Sequence, residues 1–502
     1  MCDRERGWSE VPFSRTWQLI AGSAVAGLAL SATAVAAAGP WDSGQRKAER
    51  DRAASWSRAG GADHGADGPG AHPRAAPSAP GVLTAIGPGT PGDRRDGGDG
   101  ADAGSAEKAA APDPAALAAT LRTLLADAAL GTVRSASVVD TATGTSLYDS
   151  AAGEAMTPAS TIKIATASAA LTALGPEHRI RTTVTPGTRP GQIVLVGGGD
   201  PSLTAKKKAP AGSGGSLVAL AADTAQALKA AGTDTTTLGY DDTLYTGPAR
   251  HPIGRNDNLA PISALTADEG RPDDSASGPV ERTDDPSQDT ARAFAALLKE
   301  RGITLTGEPA RAKAPAGAVP LATTLSTPLA GLVERMLTNS DNDIAEALAR
   351  QTALASGHPA DFPGAERAVT ERLASLGIDT TGSRFTDGSG LARADKVTPR
   401  LLTDLLTKAA DPHRPELRPV LTGLPVAGFT GTLRTRNAGA SPAAGLLRAK
   451  TGTLTGVNSL AGTVVAPSGR LLAFAFLTAN SPAPEAAEKA LDKLAAALAT
   501  TP

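Results

Sequence analysis

The chain has 502 residues, with 49 Lys plus Arg against 51 Asp plus Glu and a net charge of −2; this balance gives no electrostatic reason to expect a nucleic-acid partner, and the length admits one to three domains with a large core. Its single cysteine, Cys2, excludes an intrachain disulfide and a thiolate metal cluster. The six histidines (His64, His72, His178, His251, His358 and His413) form no H-E-x-x-H spacing, so no metal or other cofactor is expected.

Residues 16–39, TWQLIAGSAVAGLALSATAVAAAG, carry no charged side chain and are long enough to span a bilayer. Their end, Ala36-Ala37-Ala38, also fits a small-residue cleavage site. Residues 1–39 therefore read as a signal peptide or a membrane anchor, and the rest of the chain is expected outside the cytoplasm, secreted or held at the cell membrane. Arg4, Arg6 and Arg15 are matched by Asp3, Glu5 and Glu10, so flanking charge does not decide between the two. Residues 40–112 are rich in Gly, Pro and Ala with almost no large apolar residues, which predicts a disordered tether.

Folded sequence begins near Asp113, an N-cap followed by Pro114 and the helically spaced Leu117, Leu121, Leu124 and Leu125. TVRSASVVD and GTSLYD, joined by TATG, predict a β-hairpin. MTPASTIKIATASAAL then reads as a buried helix that stops at Gly175-Pro176. Residues 179–282 turn strand-like and turn-rich, with a helix only near Leu217–Ala231. A helix ending at Gly302 opens a helix-rich stretch, and the hairpin SLAGTVVAPSG/RLLAFAFLTAN and a helix from Pro484 close the chain. This order predicts an α+β catalytic domain in two parts, 113–178 and 283–502, whose sheet joins both ends of the chain around an inserted β-rich unit, 179–282.

Lys163 is the only charged residue in its apolar run, three places after Ser160. Alone, S-x-x-K is a weak signal, and Ser105-Ala-Glu-Lys108 in the tether is a second instance. A capping serine and a snorkelling lysine would explain it equally well. Ser340-Asp341-Asn342, alone a helix cap, and Lys450-Thr451-Gly452-Thr453, alone a strand end, change the odds. In the order S-x-x-K, S-D-N, K-T-G these are the motifs shared by penicillin-binding proteins and class A β-lactamases.

The chemistry accounts for the residue types. A serine hydroxyl is a poor nucleophile without a neighbouring base. Helical spacing puts Lys163 on the face of Ser160, and apolar surroundings, helped by a second cation at Lys450, lower its pKa toward working pH. By need, Ser340 would relay a proton to the leaving amine, and Asn342 would hold the substrate amide. Lys450, Thr451 and Thr453 would face a substrate carboxylate, while Gly452 would leave the strand bare for substrate. The N–H of Thr453 would join the helix N-terminus around the oxyanion.

Over residues 113–500 the chain resembles the D-alanyl-D-alanine carboxypeptidase/endopeptidase family, the class C low-molecular-mass penicillin-binding proteins of peptidase family S13. LVGGGDPSL (195–203), GYDDTLYTGP (239–248), PISALTADEG (261–270), TDGSGLAR (386–393) and LPVAGFTGTLRTR (424–436) carry the resemblance beyond the three motifs. It implies a serine β-lactamase/penicillin-binding-protein-like transpeptidase fold: an antiparallel sheet flanked by helices, a helical subdomain and an inserted domain. It also implies cleavage of D-Ala–D-Ala bonds or crosslinks in peptidoglycan stem peptides, with β-lactams as covalent inhibitors at Ser160. The insertion looks shortened for the family. A β-lactamase-like hydrolase is the first alternative, disfavoured by the insertion and the extra signatures. A non-catalytic β-lactam or peptidoglycan binder is the second, disfavoured by the intact motif residues.

Overall fold

The computed structural model describes residues 113–209 and 213–500. The expected leader or anchor (1–39), the tether (40–112) and the second S-x-x-K at 105–108 lie outside the described residues. Among the described residues no helix is long and apolar enough to cross a membrane.

Helix α1 (Pro114–Leu125) starts as the sequence predicts: Asp113 accepts the N–H of Ala115 at 2.9 Å, and Pro114 takes a first-turn position where no N–H is needed. Strands β1 (Val133–Asp140) and β2 (Ser146–Ser150) form the expected hairpin. The tight 3-10 turn Ala159–Ile162 leads into α2 (Lys163–Leu174), which ends at Gly175 with φ 81°. Next come β3 (Arg181–Pro186), β4 (Gln192–Val196), α3 (Leu217–Ala230), β5 (Thr235–Asp241) and α4 (Pro286–Glu300). Short strands β6 (Thr304–Leu305), β7 (Ala310–Arg311) and β8 (Ala322–Leu325) precede the helices α5 (Leu329–Asn339), α6 (Asn342–Ala355), α7 (Phe362–Ser375), α8 (Pro399–Ala410) and α9 (Arg418–Thr422). Strands β9 (Leu447–Leu454), β10 (Val457–Val465) and β11 (Leu471–Ala479) and helix α10 (Pro484–Leu498) complete the chain.

The first sheet is antiparallel throughout, in the order β2-β1-β11-β10-β9, so the two ends of the folded chain share it as expected. Its central strand β11 is apolar on both faces, which a strand covered on both sides requires. Ala473, Ala475 and Leu477 face the helical body of α2, α5, α6 and α8, where small side chains let helices approach. Leu472, Phe474 and Phe476 face the other way, onto α1 and α10. The protein therefore has the expected α+β architecture of an antiparallel sheet covered by helices on both faces, and β9 lies at one edge of the sheet.

The second sheet, β6-β5-β4-β3-β8 with β7 also on β5, has its own core and corrects two expectations. It is mixed rather than simply β-rich: β4–β5 and β5–β6 are parallel pairs bridged by α3 and α4. It also does not end at 282. Helix α4 buries Ala291, Phe294, Ala295 and Leu298 in this second core, and β8 pairs with β3, so the unit runs to Leu325. The apolar stripe of α4 was visible in sequence, but periodicity does not say which sheet a helix covers.

Candidate active site

The turn that carries Ser160 is pressed against β9. A Cβ on Gly452 would lie 2.3 Å from Ser459 Oγ, 2.7 Å from the Pro158 carbonyl and 3.0 Å from Ser160 N. Ser459 Oγ donates to that same Pro158 carbonyl at 2.6 Å. Gly452 is thus bare because the nucleophile turn packs there, not only because substrate must pass. Ala159 takes φ +49°, a left-handed conformation costly for a residue with a Cβ, directly before Ser160. Ser160 itself sits in the 3-10 turn, and the α-helix proper begins at Lys163.

Lys163 is fully buried, and its Nζ lies 2.9 Å from Ser160 Oγ, 2.7 Å from Asn342 Oδ1 and 2.6 Å from the Ser389 carbonyl. Burial brings its pKa down to about 8, while Asp387, Asp341, Glu346 and Asp395 pull it back upward. Lys450 is likewise held well below its ordinary value, by burial first and then by Lys163 and Arg436.

Ser340 and Asn342 stand where two helices meet. Ser340, at φ 58°, closes α5, and Asp341 caps α6 by accepting the N–H of Ile344 at 3.0 Å. Capping and site-building coincide, which is why the motif also reads as a simple cap. Asn342 accepts from Lys163 and donates through Nδ2 to the Asn258 carbonyl at 3.0 Å, keeping one amide N–H for a further acceptor. Ser160, Ser340, Asn342 and Thr453 line one cleft of about 290 Å³, whose far wall comes from the second unit through Asn258, Arg271 and Arg282.

That wall also buttresses the turn. Arg282 donates to Asp343 Oδ2 and to the Glu269 carbonyl, both at 2.8 Å. Glu269 pairs with Arg271 and Arg335. Burial raises Glu269 to about 8, with Asp341 adding to the rise; burial also raises Asp343 to about 6 against the pull of Arg282. Glu269, Asp341 and Asp343 are close enough together to ligate one cation, as are His251, Glu346 and Asp387. Arg282 and Arg335 pair with carboxylates of the first group, and Arg350 with Glu346 of the second.

The K-T-G-T strand differs in part from expectation. The Lys450 ammonium is buried and donates to the Thr451 carbonyl at 2.9 Å. The Thr451 hydroxyl meets Thr432 at 3.0 Å and the Thr453 hydroxyl meets Glu488 at 3.0 Å, so both are engaged by protein. The backbone agrees better. Leu447 C=O and Ala449 N–H pair outward with Ala427 and Pro425, so the two-residue period of a strand turns the Thr453 N–H toward the same open edge.

With the site's geometry in hand, the comparisons with known proteins are consistent. The sequence matches the D-Ala-D-Ala carboxypeptidase 3 (S13) family over residues 117–281 and 265–498. The chain belongs to this family. It is 37% identical over 405 residues to a carboxypeptidase of Mycobacterium tuberculosis, covering 78% of this chain and 86% of the relative. It is 31% identical over 463 residues to a D-alanyl-D-alanine carboxypeptidase of an Actinomadura species, covering 73% and 82%. Penicillin binding protein 4 of Haemophilus influenzae superposes with a TM-score of 0.62 at 23% identity, covering 75% of this chain and 98% of that one, a likeness of fold.

The residues missed in this S13 chain lie in TDGSGLAR. Asp387 accepts the backbone N–H groups of Ser389, Gly390 and Ala392 at 3.0, 2.5 and 2.7 Å, folding the loop so that the Ser389 carbonyl reaches Lys163. A Cβ on Gly388 would meet the Ala345 carbonyl at 2.5 Å, and one on Gly390 (φ +83°) the Ala159 carbonyl at 2.0 Å. The D-G-S-G pattern was the visible signal. Its meaning rests on contacts more than 40 residues away in sequence, to α6 and to the nucleophile turn.

Proposed function

We propose that the protein is a serine-type D-Ala-D-Ala carboxypeptidase, with endopeptidase action on crosslinks, that acts on peptidoglycan stem peptides through an acyl-enzyme at Ser160. On this reading β-lactams acylate the same oxygen. The observation that carries it is the buried Lys163 Nζ at 2.9 Å from Ser160 Oγ, with a pKa brought to about 8. A neutral Lys163 takes the Ser160 proton, and Oγ attacks the carbonyl carbon of the penultimate D-Ala. The N–H groups of Ser160 and Thr453 receive the oxyanion. Ser340 relays the proton to the departing amine, and water then releases the acyl group. Asn342, Lys450, Thr451 and Gly452 shape the substrate-binding edge. The catalytic unit works outside the cytoplasm, with residues 16–39 as anchor or cleaved leader, a point that membrane fractionation and N-terminal sequencing of the mature protein decide.

Ser160→Ala is expected to abolish covalent labelling by a fluorescent penicillin and D-Ala release from a pentapeptide while leaving the thermal transition in place. Persistent labelling refutes Ser160 as nucleophile. With a chromogenic cephalosporin the wild-type chain is expected to give a stoichiometric burst; sustained hydrolysis would make it a β-lactamase instead.

A further inference from the structure

We propose that His251 and Asp387 are positioning residues for acylation, holding the Ser389 carbonyl on the Nζ of Lys163 so that the amine lone pair faces Ser160; the inference rests on the acyl-enzyme reading above. A neutral primary amine has two N–H donors and one lone pair. Lys163 Nζ has three close partners, and two of them, Asn342 Oδ1 and the Ser389 carbonyl, are pure acceptors at 2.7 and 2.6 Å. They take both N–H bonds. The lone pair is left for the third partner, the hydroxyl of Ser160. The carbonyl of Ser389 therefore aims the base, although Ser389 contributes no side chain to the reaction.

Four contacts fasten that carbonyl. Asp387 gathers the N–H groups of 389, 390 and 392; Glu346 Oε1 accepts Gly388 N–H and Ser389 N–H at 3.1 and 3.0 Å; and Thr166, one turn beyond Lys163 on α2, donates to the Gly388 carbonyl at 2.7 Å. The fourth comes from a different part of the chain. His251, buried in the segment between β5 and α4, meets Asp387 Oδ2 through Nε2 at 2.9 Å. Its Nδ1 accepts the N–H of Ile253 at 3.2 Å, which fixes the tautomer: the proton is on Nε2, and the ring donates to Asp387. An edge-on contact with Phe362, at 5.4 Å between centroids and 82° between planes, holds the ring in that orientation. Asp387 also acts on Lys163 through its charge, which favours the ammonium form. The other charged groups that bear on Lys163 are Asp341, Glu346 and Asp395, with Lys450 across the turn on β9.

The test uses the full chain and the second-order rate of acylation by a fluorescent penicillin between pH 5.5 and 9.5. Asp387→Asn keeps the shape but removes the charge and one acceptor. Its plateau rate is expected to fall roughly 10- to 100-fold, the scale of a small misplacement of a catalytic group. Its acid limb is expected to move to lower pH, because the charge that favoured the ammonium form is gone. His251→Ala is expected to lower the rate, and His251→Gln, whose amide N–H can stand at the place of Nε2–H, to recover most of that loss. An Asp387→Asn rate and profile like wild type overturn the proposal, as does a Gln variant no better than Ala. If Asp387→Asn fails to fold, the two His251 variants decide alone. Labelling that survives Ser160→Ala would instead overturn the acyl-enzyme reading, so the two failures are distinguishable.

Discussion

The sharpest consequence of a buried Lys163 is the pH dependence of acylation. An exposed lysine near its ordinary pKa of about 10.4 would be neutral to only about 0.04% at pH 7. With the value brought to about 8, the neutral fraction at pH 7 is about 9%. Burial therefore raises the population of competent base roughly 200-fold at neutral pH. The second-order rate of penicillin acylation is expected to rise about tenfold from pH 6 to 7, about fivefold from 7 to 8, and less than about twofold from 8 to 9. Stopped-flow measurement with a fluorescent penicillin gives the curve directly. Lys163→Arg, which keeps the cation and cannot deprotonate at these pH values, is expected to drop below detection across the whole range. A rate that is flat between pH 6 and 8, or an arginine variant that acylates, would refute the assignment of Lys163 as base.

Two further predictions concern the contacts that hold the site in place. Gly452→Ala drives a methyl group toward Ser459 Oγ, the Pro158 carbonyl and Ser160 N, so it is expected to cost about 1–3 kcal/mol in a denaturant titration and to slow acylation disproportionately; a variant with wild-type rate would show that the nucleophile turn does not depend on this contact. Arg282→Ala leaves the nearly buried Asp343 with the Ala260 N–H but no cation and is expected to cost about 3–5 kcal/mol. Without Arg282 the Asp343 pKa rises further above its unfolded value, so the penalty is present above that pKa and shrinks as pH falls through it. Urea unfolding at pH 8 and pH 5 reads this sign, and a loss that is larger at pH 5 would contradict it.

Local elements were legible because their causes are local. The Asp113 cap, both hairpins and the three-residue step from Ser160 to Lys163 each depend on neighbours a few positions away. The site's support was not legible for the opposite reason. That Gly452 is bare for Pro158, that Asp387 folds a loop onto Lys163, and that α4 serves the second core all depend on partners more than 30 residues distant.

The groups that the unit between Ser160 and Ser340 sends inward, one backbone carbonyl and three side chains, argue that it completes the site. Asn258 holds the amide of Asn342, Arg282 satisfies Asp343, Glu269 pairs with Arg335 beneath the Ser340 turn, and His251 donates to Asp387 behind Lys163. Asp343 and Asp387 have little or no contact with water, and a buried carboxylate stripped of its partner costs about 3–5 kcal/mol. Excising the unit would take a donor from both at once, in the first turn of α6 beside Asn342 and in the loop that fixes the Ser389 carbonyl around the base. The body could then keep its sheet and still lose the geometry at Lys163, because the acceptors that aim the amine are anchored from the other side of the cleft.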